Sequence, residues 1–312
     1  MKILSQIRPH SQINILSKAK LVAAFTLFIL GFGVTAGEKV DKVLDMTGHG
    51  EVEIHNNRGV IVLEGWDKEQ VSIKGELDDL TEKFVFVSKG TKTIIKVVLP
   101  DRNTHSRSGR GSNLKIYVPI NVSVQFGGVA TDLEFSKING GVDISSVSGS
   151  ITLKDIKKRA YINSVSGNIQ LNNISGSLEV STVSGDVEAN VSTDKLTIGG
   201  VSSNITVKTD NIEFAKLSTV SGDTRLYGKL AKDGEIKLGN VSGDSHFYVK
   251  GELNARVDLD TGPGGDVVNQ YSDDKPVSSF IGSEKLKFTA GNGDGLIRMS
   301  TVSGEIGLKR AK

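Results

Sequence analysis

From residue 138 onward the apolar residues fall on alternate positions in short bursts, and the bursts repeat. Ile138, Val147, Ile156, Val165, Ile174 and Val183 are each nine residues apart. Aligned on them, the chain gives a nine-residue unit: apolar, x, Gly, x, apolar, x, apolar, x, x. Val147-Gly149-Ile151-Leu153 fits it, as do Val165-Gly167-Ile169-Leu171, Ile174-Gly176-Leu178-Val180 and Val183-Gly185-Val187-Ala189. Alternation of period two is the strand pattern. The residues between are Ser, Thr, Asn, Asp, Glu, Gln and Lys, as a solvent face requires. Leftover polar pairs such as Lys154-Asp155 and Asn172-Asn173 suit turns. No stretch of the repeat reads as a helix.

Two units make a larger one. Val-Ser-Gly recurs at residues 147–149, 165–167, 183–185, 220–222, 241–243 and 302–304, with a degenerate Val201-Ser202-Ser203. The first three copies and the degenerate one are evenly spaced, and the next two steps lengthen slightly. A fixed period of about 20 residues marks a repeat architecture. Strands this short bury their apolar side only by stacking coil on coil, which merges the Val/Ile/Leu rows into one core. The expected fold is therefore all-β: a β-solenoid, parallel β-helix-like, of 18–21-residue coils. From Ile138 to Leu308 that gives about nine coils and a stack about 40 Å long at strand spacing. Alternation predicts Val183 and Val187 inward, Ser184 and Asp186 outward. The repeat Gly either takes positive φ at a corner or relieves crowding between walls, and the turn-forming run Ser-Gly-Asp favours the corner. An antiparallel sandwich competes, but would not need so regular a spacing.

Before the repeats, residues 40–130 form a less regular β region. Val52, Ile54, Val60, Val62 and Val71 fall between polar residues, and Asn56-Asn57-Arg58-Gly59 predicts a hairpin turn. Phe84 to Val87 and Thr93 to Leu99 pair around Ser88-Lys89-Gly90. Asp78 to Lys83 reads as one helical turn, and Leu114 to Val118 as a strand stopped by Pro119. This region is expected to cover the sheet edge of the first coil.

The first residues carry an address. Lys2, Arg8, Lys18 and Lys20 precede the apolar run Leu21 to Val34, whose length suits a signal-peptide core and is short for a membrane span. Val34-Thr35-Ala36 supplies small residues for cleavage before Gly37; retention as an uncleaved anchor is the alternative. The expected organisation is 1–36 signal peptide, 37–130 N-terminal β region capping the solenoid, and 131–312 Val-Ser-Gly repeat. With no Cys there is neither a lipid-attachment cysteine nor a disulfide, so stability after export comes from the stack. A net charge of +2 argues against nucleic acid as a partner.

Several of these stretches resemble one family. Gly65-Trp66-Asp67, Val71-Ser72-Ile73-Lys74-Gly75, Leu114-Lys115-Ile116-Tyr117-Val118-Pro119, the Val-Ser-Gly-Asp series and Ser300-Thr301-Val302-Ser303-Gly304-Glu305-Ile306 are similar to the bacterial "putative adhesin" β-strand-repeat family. That is a domain of unknown function found mainly in exported or envelope proteins. The resemblance spans about residues 40 to 308 and implies a β-helix-like fold. It transfers little mechanism, because the adhesin label is inferred from the fold. Some relatives are linked to envelope-stress systems, which keeps a sensing role open. Ser203 in place of Gly, and Asp260-Thr261-Gly262-Pro263-Gly264 in place of a repeat copy, depart from the pattern and mark coils expected to bulge or open.

Candidate chemistry is sparse. His49, Glu51, Glu53 and His55 share one face of a predicted strand, but neighbours two apart are about 6.6 Å distant, so one metal reaches at most two of them. A solvated face is the better reading. Asp186, Asp223 and Asp244 follow the repeat Gly as in calcium-binding β-rolls, but Ser150, Asn168 and Ser177 at the same place fit a hydrogen-bonded turn better. Gly291-Asn292-Gly293-Asp294-Gly295 reads as a tight turn, since no helix follows it to hold an anion. Arg102, Arg107 and Arg110 lie in the loop Asp101–Asn113, a solvated excursion or a contact for an anionic partner. No catalytic, metal or cofactor-binding residues are assigned. The expectation is a non-enzymatic structural or binding module of the envelope, periplasmic or at the cell surface. Its partner would be an envelope protein or a glycan, with no integral membrane span once the signal is removed. An envelope-stress sensor or scaffold is the alternative, and a carbohydrate-active enzyme on a β-helix the more distant one.

Overall fold

The computed structural model describes residues 37–100 and 109–311, and every regular element among them is a β-strand. The expected signal segment, residues 1–36, lies outside the described residues, as do Arg102 and Arg107. The chain begins with β1 (Lys39–Asp45), the long bent β2 (Glu51–Trp66) and β3 (Gln70–Glu76). The pair β4 (Lys83–Lys89) and β5 (Lys92–Val98) follows, then β6 (Ser112–Pro119), β7 (Ser123–Ile138), β8 (Val142–Ser148), β9 (Ile151–Ile156) and β10 (Arg159–Ser164). Four long strands carry the regular repeat: β11 (Ile169–Ser184), β12 (Val187–Ser202), β13 (Ile205–Ser221) and β14 (Thr224–Ser242). The chain closes with β15 (Ser245–Val249), β16 (Ala255–Thr261), β17 (Gly265–Asn269), β18 (Val277–Ser278), β19 (Glu284–Ala290), β20 (Gly295–Thr301) and β21 (Gly304–Arg310).

Parallel pairing at one-coil offsets sorts these strands into two walls. One row runs Ile151, Ile169, Val187, Ile205, Thr224, Ser245, Ile306, each residue the register partner of the next. All seven are buried, and with β2, β6, β7 and β17 their strands form wall B. The other row runs Ile144, Ile162, Val180, Ile198, Leu217, Leu238, Met299, Leu259, and its strands form wall A. Each coil lays one strand in wall A, turns at Val-Ser-Gly, and lays the next in wall B. Long strands such as β11 continue from wall B of one coil into wall A of the next. The inward rows merge into one core, where Phe126 and Phe135 meet edge to face at 6.2 Å. A fully buried Val or Ile contributes about 1.5–3 kcal/mol, so stability is spread over many equivalent rungs.

The stack has antiparallel ends. β4 pairs with β5, while β3 pairs with β6 and β1 with β3. At the far end β19 pairs with β16, and β18 with β19. The expected β4–β5 pair and the stop of β6 at Pro119 are both present.

Two readings are corrected. Asn56 to Gly59 is not a hairpin: β2 runs through it as a coil corner, and both halves lie parallel to β7. Asp78 to Lys83 is a tight turn closed by Thr81 N–H donating to the Asp78 carbonyl, rather than a helical turn. The coils also do not stack in chain order throughout. β20 lies between β14 and β16, and β21 between β15 and β17. The last coil of the sequence is thus wedged between two laid earlier.

Candidate functional site

The Val-Ser-Gly corner is the most regular outward feature. Gly149, Gly167, Gly185, Gly222, Gly243 and Gly304 have φ between 105° and 129°, which favours glycine, and the corner reading holds. They are also crowded: a Cβ on Gly185 would lie 2.7 Å from the carbonyl carbon of Gly167 in the adjacent coil. The corner changes the phase of the alternation. Leu178, Val180 and Thr182 point inward before it, and Val187 and Ala189 after it. Val183 therefore points outward, contrary to the sequence reading, whereas Val187 is fully buried and Asp186 exposed as expected.

The same flip turns out every triplet valine, and Val129, one coil before the first triplet, stands in line with them. Val129, Val147, Val165, Val183, Val201, Val220, Val241 and Val302 are each between 39% and 53% exposed. At one coil spacing they form a ridge about 34 Å long. Beneath it a buried hydroxyl closes five of the corners. Ser146, Ser164, Thr182, Thr219 and Thr301 each donate to the carbonyl two residues on, at 3.0–3.3 Å. Asn240 makes the equivalent bond to the Gly243 carbonyl. Where Ser203 replaces Gly, the side chain is buried and Gly200 leaves room for it, so the stack continues.

Beside the ridge on wall A runs a floor of small residues: Gly127, Ser145, Asn163, Ser181, Gly199, Ser218, Gly239 and Ser300. Beyond it stand longer side chains, among them Tyr161, Glu179, Lys216, Lys237 and Arg298. Ridge, floor and outer row enclose a shallow groove. One stretch, of about 400 Å³, is bounded by Val147, Val165 and Val183; another, of about 380 Å³, by Lys216, Lys237 and Arg298.

On the other side of the ridge lies a polar rim in which side chains bond the next coil. Asn168 Oδ1 accepts from Asp186 N–H at 3.1 Å and Asp186 Oδ1 from Asn204 N–H at 3.3 Å. Asn204 does the same for Asp223 at 3.0 Å, Asp223 for Asp244 at 3.1 Å, and Asp244 for Glu305 at 2.8 Å. The aspartate series is hydrogen-bonded turn chemistry.

The other candidates separate. Glu53 pairs with His55 at 2.5 Å, and Lys92 bridges Glu51 and Glu53 at 2.8 and 2.5 Å. Lys92 and then His55 hold the Glu53 carboxyl below its usual range, and the two carboxylates push the Lys92 ammonium up to about 12. This is an ion-paired solvent face, and no group of three metal-ligating side chains exists among the described residues. The 291–295 glycine run is a tight turn fastened by Asn254 Oδ1, which accepts from Gly293 N–H at 2.8 Å. Arg110 meets Asp79 at 3.5 Å.

Sequence reasoning missed two polar clusters. On wall B, Tyr227 stacks on Tyr248 at 4.3 Å, next to His246, which is nearly buried. Gly307 leaves room for the His246 ring, which meets Glu305 at 2.6 Å, and Lys309 joins at 3.0 Å. Burial raises the Glu305 carboxyl, but His246 and Lys309 outweigh it and the net shift is downward. Near the start of the stack, buried Asp78 takes both Nε and Nη2 of Arg58. There too burial is outweighed, by Arg58 and the Leu80 N–H, and Asp78 is held low. In both clusters the partners come from different strands or coils, distant in the sequence, so only the register could have joined them.

The described residues contain no helix long and apolar enough to cross a membrane. Among solved structures, the chain is similar to one described as a putative lipid binding protein from Parabacteroides distasonis, at 14% identity and TM-score 0.39, covering 88% of this chain and 98% of that one. It is also similar to a putative adhesin from Bacteroides fragilis, at 13% identity and TM-score 0.34, covering 87% and 97%. A putative adhesin from Parabacteroides merdae is similar at 6% identity and TM-score 0.28, covering 88% and 97%. No curated protein matches. Residues 46–309 match the family described as Toastrack DUF4097, and the chain belongs to that family.

Proposed function

We propose that the protein is an exported, non-enzymatic β-solenoid of the cell envelope that works as a binding module, with the corner of wall A as its binding face. Residues 1–36 direct export and are removed, and residues 37–130 close one end of the stack. The observation that carries this reading is the valine ridge. A soluble protein has no folding reason to turn eight β-branched apolar side chains outward in one line, and a continuous apolar patch of that kind marks an interaction surface. The parallel in-register coils make that surface straight and rigid, which lowers the ordering cost of binding.

The test is capture from envelope extracts with the exported chain and with a variant carrying Val165→Asp, Val201→Asp and Val241→Asp. The three valines are about half exposed, so the variant should fold. Loss of the captured partners with an unchanged melting temperature is the expected result. An identical captured set would remove the ridge from the binding face. Mass spectrometry of the exported form should give Gly37 as its first residue; an intact N-terminus would overturn the cleavage.

A further inference from the structure

The geometry points to a second copy of this chain as the occupant of the wall A corner, in a two-fold dimer whose axis runs parallel to the stack. The inference rests on the ridge being the binding face and names what binds there. Ridge and floor lie side by side, two residues apart along the chain, and both extend over the same eight coils. A two-fold axis midway between them, along the stack, places each copy's ridge over the other's floor. The floor is Gly, Ser and one Asn, so it can receive a row of valines without collision. Both rows have the same coil repeat, so every rung fits when one fits. An interface of this kind is isologous and closes at two copies.

Charge follows the same symmetry. The axis brings the outer row of one copy against the rim of the other at the same coil. Outer and rim residues of a coil are seven positions apart in the sequence. Lys216 then faces Asp223 of the second copy, which Arg225 also holds within its own chain, and Lys237, paired with Glu235 in its own chain, faces Asp244; Glu305, opposite Arg298, is already held by His246 and Lys309. Each pair occurs twice across the axis. Glu179 facing Asp186 is the one like-charge rung among the eight valine coils. The strip from outer row to rim is about 20 Å wide and about 34 Å long from strand spacings, or roughly 680 Å² per copy. That approaches the ~800 Å² per partner of a stable interface.

Sedimentation equilibrium of the full exported chain, at 0.1 M and 1 M salt, tests this. The expected result is a monomer–dimer equilibrium that weakens in high salt. Val183→Asp with Val201→Asp should raise the dissociation constant at least 100-fold, because each carboxylate would be buried against the partner's floor. Lys216→Glu with Lys237→Glu should raise it at least tenfold. Adding Asp223→Asn and Asp244→Asn to that variant should recover most of the loss, since Asn keeps the rim's acceptor oxygens and removes the repulsion. A monomer at all concentrations overturns the proposal, as does a dimer that the valine variants leave unchanged. If the chain is monomeric and the valine variants still abolish capture from extracts, the ridge remains a binding face and only the second copy is wrong. If it is monomeric and capture is unaffected, both readings fall.

Discussion

Replacing Gly185 with Ala separates the two demands that a corner makes on its glycine. The first is conformational. At φ 105° an L-residue sits in a region that only glycine occupies freely, a strain of about 1–3 kcal/mol. The second is spatial. The new Cβ would lie 2.7 Å from the carbonyl carbon of Gly167, and closer still to its oxygen, both backbone atoms held by the coil-to-coil ladder. Relieving such overpacking adds about 1–3 kcal/mol. Gly264, at the corner of β16 and β17, is a control within the same protein. Its φ is 92° and no atom comes within 4 Å of a Cβ placed there, so Gly264→Ala meets the strain alone. Gly185→Ala should therefore lose about 4 kcal/mol and Gly264→Ala about 2 kcal/mol in urea unfolding. In thermal melts the gap should be about 4 °C for a domain of this size. Equal losses would show that the corner needs glycine for its dihedral only, and that the coils give way without cost.

The paired substitutions Val187→Asp and Val183→Asp test the phase flip. The first buries an unpaired carboxylate and should cost about 4 kcal/mol or more, while the second, melted at concentrations low enough for the chain to be monomeric, should cost about 0.5 kcal/mol or less, and equal costs would refute the flip. Breaking the Asp78–Arg58 pair with Asp78→Asn should cost about 1.5–3 kcal/mol at pH 7, because two charge-assisted hydrogen bonds to the half-buried Arg58 are lost. Asp78 and Glu305 are both held low in the folded state, so their stabilisation is present above the ordinary carboxylate range, about pH 4, and is lost as pH falls through their folded values. Melting curves from pH 6 to pH 2 should show that fall, and Glu305→Gln should flatten part of it; an unchanged profile would discount the His246 cluster. A chelator should leave the melting temperature unchanged, since the rim carboxylates bond the next coil's N–H groups, and a drop of ten degrees would revive a metal role.

The repeat is legible because a stack imposes the same environment every coil, so the same residue returns at the same spacing. The corner glycines are legible for the same reason. Carrying the alternation straight through Gly185 misplaces Val183. Leu178 and Val180 lie on even positions and Val187 and Ala189 on odd ones, so the flip is already present in the sequence. The inward Thr182, equivalent to Ser164 and Ser146, is its second sign. Asn56 to Gly59 reads as a hairpin because a coil corner and a hairpin turn draw on the same residues. The Asp78 and His246 clusters join distant segments, and no local pattern announces them.

The position of β20 and β21 has a kinetic consequence. Strands β20 and β21 fill a gap between β14–β15 and β16–β17, so the far end of the stack cannot close until those two strands have emerged. Coils up to β15 can form in order as the chain appears, each on the one before. The coil of β16 and β17 has no parallel neighbour until β20 and β21 arrive and slide in. Loss of β20 and β21 would not shorten the rod by a rung. It would split it, leaving two open strand edges facing each other, the kind of edge that recruits foreign strands. The pair β20 and β21 thus acts as the closing wedge of that end of the stack.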